Sequence, residues 1–331
     1  MRAFVTGGAG FIGSHLVDGL RARGWPVTVY DHLGTGHREF LEARWGTDKS
    51  DSLPKLTLVE GDILDGARLA EAMKGHDVVF HLAANADVRG GIRDRKVDVE
   101  QNILGTHSVL EAMVANDIHR MAFTSSAVVY GEPSKIPTPE EYLGTQTSLY
   151  GASKFAAEAM VEAYASYFQI RATIFRFVSL VGERYTHGVV FDFVKKLRED
   201  PKSLEILGDG RQRKSYLYVG DAVDGMLLAM ERYPENGPDV VRYNLGHSDV
   251  VEARKVAETV CSEMGLQNVT FRFRGGIRGW PGDSPHVLLD THRLRALGWS
   301  PKVSMEEGIR RTVRYLLQHP ELLSRRGRAG P

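Results

Sequence analysis

Short, nearly continuous apolar runs alternate with amphipathic stretches through the first half of this chain. The runs are Ala3-Phe4-Val5, Val27-Thr28-Val29-Tyr30, Leu56-Thr57-Leu58-Val59, Val78-Val79-Phe80 and Met121-Ala122-Phe123. A strand with one wet face alternates apolar and polar residues, whereas a strand covered on both faces does not, so these read as fully buried strands. Between them, residues 14–23, 67–74 and 102–115 space their apolar side chains as a helix does. Residues 170–177 read as a further strand. Buried strands separated by helices predict a parallel sheet with helices on both faces, an α/β fold of the doubly wound Rossmann type.

The rhythm breaks after residue 177. Glycine, proline and charge increase through Gly208-Asp209-Gly210 and residues 274–285, and helical patterns return at 222–232, 250–264 and 304–318. The expected organisation is a first domain over 1–177, rejoined by segments near 216–247, and a smaller α/β substrate-binding lobe over 178–331. The polar insert 45–55 is expected to be a surface loop. The basic tail Arg325-Arg326-Gly327-Arg328 is expected to be a solvated terminus.

Composition changes this picture little. The 331 residues are 42% hydrophobic and 25% charged, with 42 Lys+Arg against 42 Asp+Glu. A balanced chain has no bulk attraction for nucleic acid or anionic membrane, so any anion must be held by a local site. No run approaches the length of a membrane span. The chain enters its first strand at once, without the apolar stretch of a secretory signal. The single Cys261 fits a reducing compartment and reads as a small buried hydrophobe. A cytoplasmic protein with no nucleic-acid or membrane partner is expected.

Chemistry enters at the first turn. Gly7, Gly10 and Gly13 stand between the first strand and first helix, in T-G-G-A-G-F-I-G-S-H. Glycines there let backbone approach a pyrophosphate, which the helix N-terminus attracts through unpaired N–H groups. Phe11 and Ile12 supply the first N–H groups. Asp31 ends the second strand, the next one after the glycine turn. An acid at that place accepts hydrogen bonds from a ribose diol and repels a 2′-phosphate, which favours NAD over NADP. Asp62, in Gly61-Asp62-Ile63, reads equally as an adenine contact or as the N-cap of the next helix.

Tyr150 and Lys154, in Y-G-A-S-K, follow Ser126 in the chain. Four apart on a helix, they share a face. A lysine ammonium beside a phenol favours the phenolate and is expected to bring it toward working pH as a base.

With these residues in view, the chain resembles the extended short-chain dehydrogenase/reductase family, in its nucleotide-sugar epimerase/dehydratase branch. The resemblance runs over residues 1–318 and also includes His81-Leu82-Ala83-Ala84, T-S-S-A-V-V-Y-G from Thr124 to Gly131, and Gly208-Asp209-Gly210. It implies that Tyr150 is the acid/base, that Lys154 binds the nicotinamide ribose and tunes it, and that Ser126 hydrogen-bonds the reacting hydroxyl. It further implies that Leu82, Ala83 and Ala84 line the NAD groove with Ile63, and that Asn102 stands behind the site. The family's 4,6-dehydratases follow that serine or threonine with Asp-Glu, and its decarboxylases keep the glutamate. Here Ala127 and Val128 carry no titratable group, so the resemblance implies a nucleotide-sugar 4-epimerase of the UDP-glucose/UDP-galactose type. The rival readings are a net keto-sugar oxidoreductase and a non-catalytic NAD-binding member.

For the substrate, the resemblance points to Ser179, where the family has an asparagine, and to Arg213 or Lys214 and Arg278 as diphosphate ligands. Arg184 is expected near the sugar, and His187 is expected to be structural. No metal is implied. A homodimer is expected, formed by packing residues 103–115 and 152–168 of two subunits.

Overall fold

The computed structural model describes residues 1–42, 54–234 and 236–324. Most of the insert 45–55 and the tail 325–328 thus lie outside the described residues.

Six parallel strands come first: β1 (Ala3–Thr6), β2 (Val27–Asp31), β3 (Leu56–Glu60), β4 (Val78–His81), β5 (Arg120–Ser126) and β6 (Arg171–Phe177). The second half adds short strands β7 (Ser179–Val181), β8 (Ser203–Ile206), β9 (Arg213–Lys214) and β10 (Tyr216–Tyr218). It continues with β11 (Val240–Leu245), β12 (Val251–Glu252), β13 (Thr270–Phe273) and β14 (His286–Val287). Seven strands form one sheet in the order β11-β6-β5-β4-β1-β2-β3. Every neighbouring pair in it is parallel.

Both faces are covered, as the continuous apolar runs require. Phe4, Val79, Met121, Phe123 and Ile174 point to one side, where Leu69, Met73, Leu110, Met113, Val161 and Ala165 meet them. Ala3, Val5, Val78, Phe80 and Phe175 point to the other, against Leu16, Val17, Leu20, Val223, Met226 and Leu227. This alternation follows from the two-residue period of a strand. Each fully buried side chain of this size contributes about 1.5–3 kcal/mol.

The helices begin where local chemistry permits. Ser148 caps the helix Leu149–Phe168 by accepting from Gly151 N at 3.0 Å. Ser304 caps Met305–Gln318 by accepting from Glu307 N at 3.2 Å. Asp65, not Asp62, caps Gly66–Met73, its carboxylate accepting from Arg68 N at 3.2 Å. Asp62 instead accepts from Leu64 N at 3.0 Å, closing the turn after β3. The helix expected from residue 102 is α-helical only over Gly105–Ala115, because a wider π turn, Val99–Leu104, precedes it.

The small lobe pairs β7 with β10, β8 with β13, and β9 with both β12 and β14. Helices Val189–Glu199, Ala253–Glu263 and Met305–Gln318 pack around them. Their buried residues Phe193, Val260 and Val313 join the same apolar cluster as Leu16 and Phe80. Val189–Glu199 is a helix that the sequence reading missed, although its Val190, Phe193, Val194 and Leu197 bury one face. No described helix is long and apolar enough to cross a membrane.

Candidate active site

The glycine turn joins β1 to the helix Phe11–Ala22. Gly7 adopts φ +69°, and a Cβ there would lie 2.6 Å from Ala83 N. A Cβ on Gly13 would lie 2.2 Å from Gly7 O, so helix and turn touch backbone to backbone. Gly10 differs: a Cβ on it would meet only Gly7 O, at 3.3 Å, which leaves an open cradle at the helix start. No side chain caps this helix, and its first turn holds no acid. The N–H groups of Phe11 and Ile12 stand there, while the Phe11 ring packs edge-on against Tyr185. An uncapped helix N-terminus beside an open glycine suits a dinucleotide pyrophosphate.

Asp31 is 7% exposed and braces this turn, its two oxygens accepting from Ala9 N at 3.0 Å and Leu33 N at 2.8 Å. Each carboxylate oxygen retains a lone pair, so bracing and ribose binding are compatible. The Ile63 side chain is buried against Gly105. Leu82 and Ala83 donate their N–H groups to Thr6 Oγ1, both at 3.2 Å. The Thr6 hydroxyl also meets His81 Nδ1 at 2.7 Å, and His81 Nε2 reaches Thr106 Oγ1 at 3.0 Å. His81, Leu82, Ala83 and Ala84 are thereby fixed along the end of β4. Neither Thr6 nor Thr106 was singled out from sequence, though Thr6 immediately precedes the glycines.

Behind Tyr150 lies a buried polar relay. Asn102 donates to Ser153 Oγ at 2.9 Å and accepts from Asn85 N at 2.8 Å. Ser153 Oγ donates to the Tyr150 carbonyl at 2.8 Å. Asn85 and Asn102 both donate to Asp98 Oδ1, at 2.8 and 3.3 Å. The π turn aims Asn102 inward, a distortion common at functional sites.

Tyr150 and Lys154 share a face of Leu149–Phe168, and the Ser126 side chain stands near enough to the Tyr150 phenol to favour its ionised form. Ser126 ends β5 and caps the turn Ala127–Tyr130 by accepting from Val128 N at 3.3 Å. The structure thus brings Ser126, Tyr150 and Lys154 together. Their charges differ from the simple expectation. Burial pushes the phenol up to about 12, with Ser126 opposing and Asp98 adding to the rise. Burial also brings Lys154 down to about 7, opposed by Glu158. Its ammonium sits 4.3 Å from the centre of the Phe123 ring. Desolvation is the largest influence on each group and favours its neutral form.

The proposed substrate residues divide. Lys214 contacts Asp283 at 2.5 Å and lies 4.8 Å from the Trp280 ring centre. Arg278 reaches across to Glu132 at 2.5 Å. Both flank a cleft of about 470 Å³ whose lining includes Gly208, Arg278 and Trp280. That wall abuts the start of the Tyr150 helix, since Thr147 Oγ1 donates to Gly282 O at 3.3 Å. The Trp280 indole N–H is buried without a protein acceptor. Trp280 was not singled out from the sequence. Ser179 is exposed at the start of β7, and Arg213 points to Glu252 at 3.3 Å.

Arg184, only 1% exposed, pairs with Asp18 of helix Phe11–Ala22 at 2.8 Å. Its φ of +61° turns the backbone so that the side chain goes inward. The His187 ring is exposed and stacks over Tyr185 at 6.0 Å. The described residues hold no cluster of metal-ligating side chains.

A seven-stranded parallel sheet, a glycine turn at its switch region and a Ser–Tyr–Lys set define a dinucleotide-dependent enzyme. The chain matches the family model for the NAD dependent epimerase/dehydratase family over residues 3–246, and it belongs to that family. It is 33% identical to a putative UDP-glucose 4-epimerase of Methanocaldococcus jannaschii, covering 94% of this chain and 97% of that one. A crystal structure of UDP-galactose 4-epimerase aligns with TM-score 0.86 and 38% identity, over 96% of this chain and 99% of that one. The dTDP-glucose 4,6-dehydratase DesIV of Streptomyces venezuelae, solved with NAD bound, aligns with TM-score 0.86 and 28% identity, over 97% and 98%. The cofactor of this enzyme is NAD.

Proposed function

We propose that this enzyme is a nucleotide-sugar 4-epimerase acting on a UDP-hexose pair of the UDP-glucose/UDP-galactose type. One observation carries the choice within the family. The turn after Ser126 is Ala127-Val128-Val129-Tyr130, with Ala127 9% and Val129 1% exposed, so positions 127 and 128 bring no carboxylate to Ser126 for elimination or decarboxylation. The 38% identity to a UDP-galactose 4-epimerase supports the same reading.

NAD, when bound, accepts a hydride from carbon 4 and brings the positive charge of its nicotinamide into the cleft. That charge offsets the burial that holds Tyr150 in its neutral form. Tyr150 takes the proton of the 4-hydroxyl, with Ser126 hydrogen-bonded to the same oxygen. The O–H and C–H bonds break, a C=O bond forms, and the product is a 4-keto sugar still held by its diphosphate. After the sugar turns over, Tyr150 returns the proton and the hydride re-enters from the opposite face. Lys154 binds the nicotinamide ribose, and Asp31 its adenosine counterpart, with Asp62 near the adenine.

Residues 1–177 and 178–331 form the cofactor and sugar-nucleotide halves in this reading. Arg278 and Lys214 border the diphosphate, which competes with Glu132 and Asp283 for them, and the Trp280 N–H supplies a further donor. Val99 and Leu104 on the π turn, Val114 on the helix that follows it, and Tyr167 and Phe168 at the end of Leu149–Phe168 are exposed, which supports a homodimer. Light scattering at micromolar concentration tests it. The lone Cys261, buried and free, supports a cytoplasmic enzyme.

The deciding experiment is an NMR screen of UDP-, CDP-, GDP- and dTDP-hexoses for inversion at carbon 4. Inversion of the UDP pair without net NADH release is expected. No inversion with any of them, together with NADH-dependent reduction of a keto sugar, would replace this reading with the oxidoreductase one.

A further inference from the structure

The Tyr150 helix carries a third polar residue on its catalytic face. Tyr150, Lys154 and Glu158 recur every four positions, so they stack along one side of the helix. Glu158 is 1% exposed. A carboxylate buried this deeply stays ionised only when it is paired and fully hydrogen-bonded.

It is both. Arg176 of β6 meets Glu158 side-on, with Nε 3.0 Å from Oε1 and Nη2 2.6 Å from Oε2. Ser125 Oγ donates to Oε1 at 2.5 Å. Arg242 of β11 approaches Oε2 at 3.5 Å and is itself paired with Glu162. The remaining Arg176 nitrogen, Nη1, donates to the Tyr130 hydroxyl oxygen and the Glu140 carbonyl, both at 2.9 Å. Tyr130 donates onward to Asn244 Oδ1 at 2.7 Å.

This one carboxylate therefore binds the Tyr150 helix to the residue before Ser126, through Ser125. Through Arg176 it also binds that helix to the turn after Ser126, at Tyr130. A buried ion pair is weak evidence of stabilisation, because desolvation can cancel the attraction. Its position between the two halves of the reacting set calls for another role. We propose that Glu158 is a positioning residue: clamped by Arg176 and Ser125, it fixes the Tyr150 helix against the Ser126 strand and sets a negative charge one helical turn from Lys154. This rests on Ser126, Tyr150 and Lys154 being the reacting set.

The surroundings of Lys154 leave that charge to Glu158. From β4 it faces His81, whose imidazole burial holds neutral, and from β5 the Phe123 ring. On its own helix it faces Tyr150 and Glu158. Arg176 of β6 lies beyond Glu158, and Asp98 of the π turn acts on Tyr150. Burial drives Lys154 down, and Glu158 is the group that opposes this. Without Glu158, Lys154 loses its proton at lower pH, so the limb on which activity falls with rising pH moves below neutrality.

The test uses holoenzyme labelled with [ε-13C]lysine, with the Lys154 resonance identified by its loss in Lys154→Arg. The double variant Glu158→Gln/Arg176→Met removes both charges together, so no buried arginine is left alone. The Lys154 titration midpoint is expected to fall by about one pH unit, and the alkaline limb of kcat with it. An unmoved midpoint in the folded variant overturns the electrostatic role. Ser125→Ala keeps both charges and removes only a hydroxyl. It is expected to lower kcat about tenfold, the scale of one lost hydrogen bond, with KM and the Lys154 midpoint unchanged; wild-type kcat overturns the clamp. Glu158→Asp keeps the charge but draws it back by one methylene, so a smaller fall of the midpoint is expected there than in the double variant. Should the double variant not fold, a midpoint that falls in Glu158→Asp supports the coupling, and one that stays or rises overturns it. A wild-type protein that inverts no sugar nucleotide would remove the proposed function, while the NMR titration would still report on the coupling.

Discussion

Replacing Tyr150 with phenylalanine removes one oxygen from the reacting set and little else. The ring stays in place, because the helix is held from its start by the Ser148 cap and below by the Glu158–Arg176 pair. Loss of the phenol's interaction with Ser126 costs about 1 kcal/mol net. Relief from burying a hydroxyl offsets part of that, so Tm is expected to move by no more than a few degrees. Activity responds on another scale. A positioned general base contributes on the order of 10²–10⁴ in rate, or about 3–5 kcal/mol of barrier. Hydride loss from an alcohol that keeps its proton would leave a protonated carbonyl, so the upper end of that range is expected. Interconversion of UDP-glucose and UDP-galactose followed by NMR should fall at least a thousandfold, while NAD released on denaturation remains equimolar with protein. Turnover within tenfold of wild type, in a folded and NAD-loaded variant, would refute the assignment of Tyr150 as the base.

Gly13→Ala places a Cβ 2.2 Å from Gly7 O and 2.7 Å from Gly8 Cα, and backbone cannot swing aside. The turn must shift, so purified protein should carry less than about a tenth of its NAD at a stability cost of about 1–3 kcal/mol; full NAD occupancy would contradict it. His81, held neutral between Thr6 and Thr106, has its pKa pushed down from 6.5 to about 3 by burial and by Lys154. Below pH 6.5 the unfolded chain binds the proton and the folded one does not, so stability is lost as pH falls from about 6.5 toward 3. At pH 4.5 the loss is about 2–3 kcal/mol; urea midpoints at pH 7 and 4.5 should converge in His81→Gln, and an equal acid loss in both proteins would rule this out. Asp31→Ser removes the carboxylate that repels a 2′-phosphate, so the ratio of NAD to NADP affinity by calorimetry should drop at least tenfold. An unchanged ratio would leave Asp31 only the bracing bonds from Ala9 N and Leu33 N.

What could be read from the sequence follows from which signals are local. β1, β2, β4 and β5 announce themselves because a strand buried on both faces must be apolar throughout. The glycine turn and the Ser126–Tyr150–Lys154 grouping were legible because glycine turns, a Tyr–Lys pair four apart and a serine at a strand end each carry their own geometry. Two- and three-residue strands such as Arg213–Lys214 and His286–Val287 carry no periodicity; their pairing partners alone make them strands. The pairing of Arg184 with Asp18 had no local signal, because Asp18 lies far away in the chain. The N-cap fell to Asp65 instead of Asp62 because the turn after β3 uses the first acid to close itself. The electrostatics were legible least of all. The four-residue spacing of Tyr150 and Lys154 says that two groups are close, but the depth at which both are buried decides their protonation.

The position of β11 has a consequence for synthesis. The strand order places Val240–Leu245 against the outer edge of β6, although a long stretch of chain, including the whole of β7 to β10, separates them. A nascent chain can assemble β3, β2, β1, β4, β5 and β6 as it emerges, but the edge of β6 then presents unpaired backbone to any passing strand. Arg242 and Asn244, which complete the network around Glu158 and Tyr130, are missing over the same interval. The catalytic geometry therefore matures only after the sheet is sealed, and a fragment ending before residue 240 should be sticky before it is inactive.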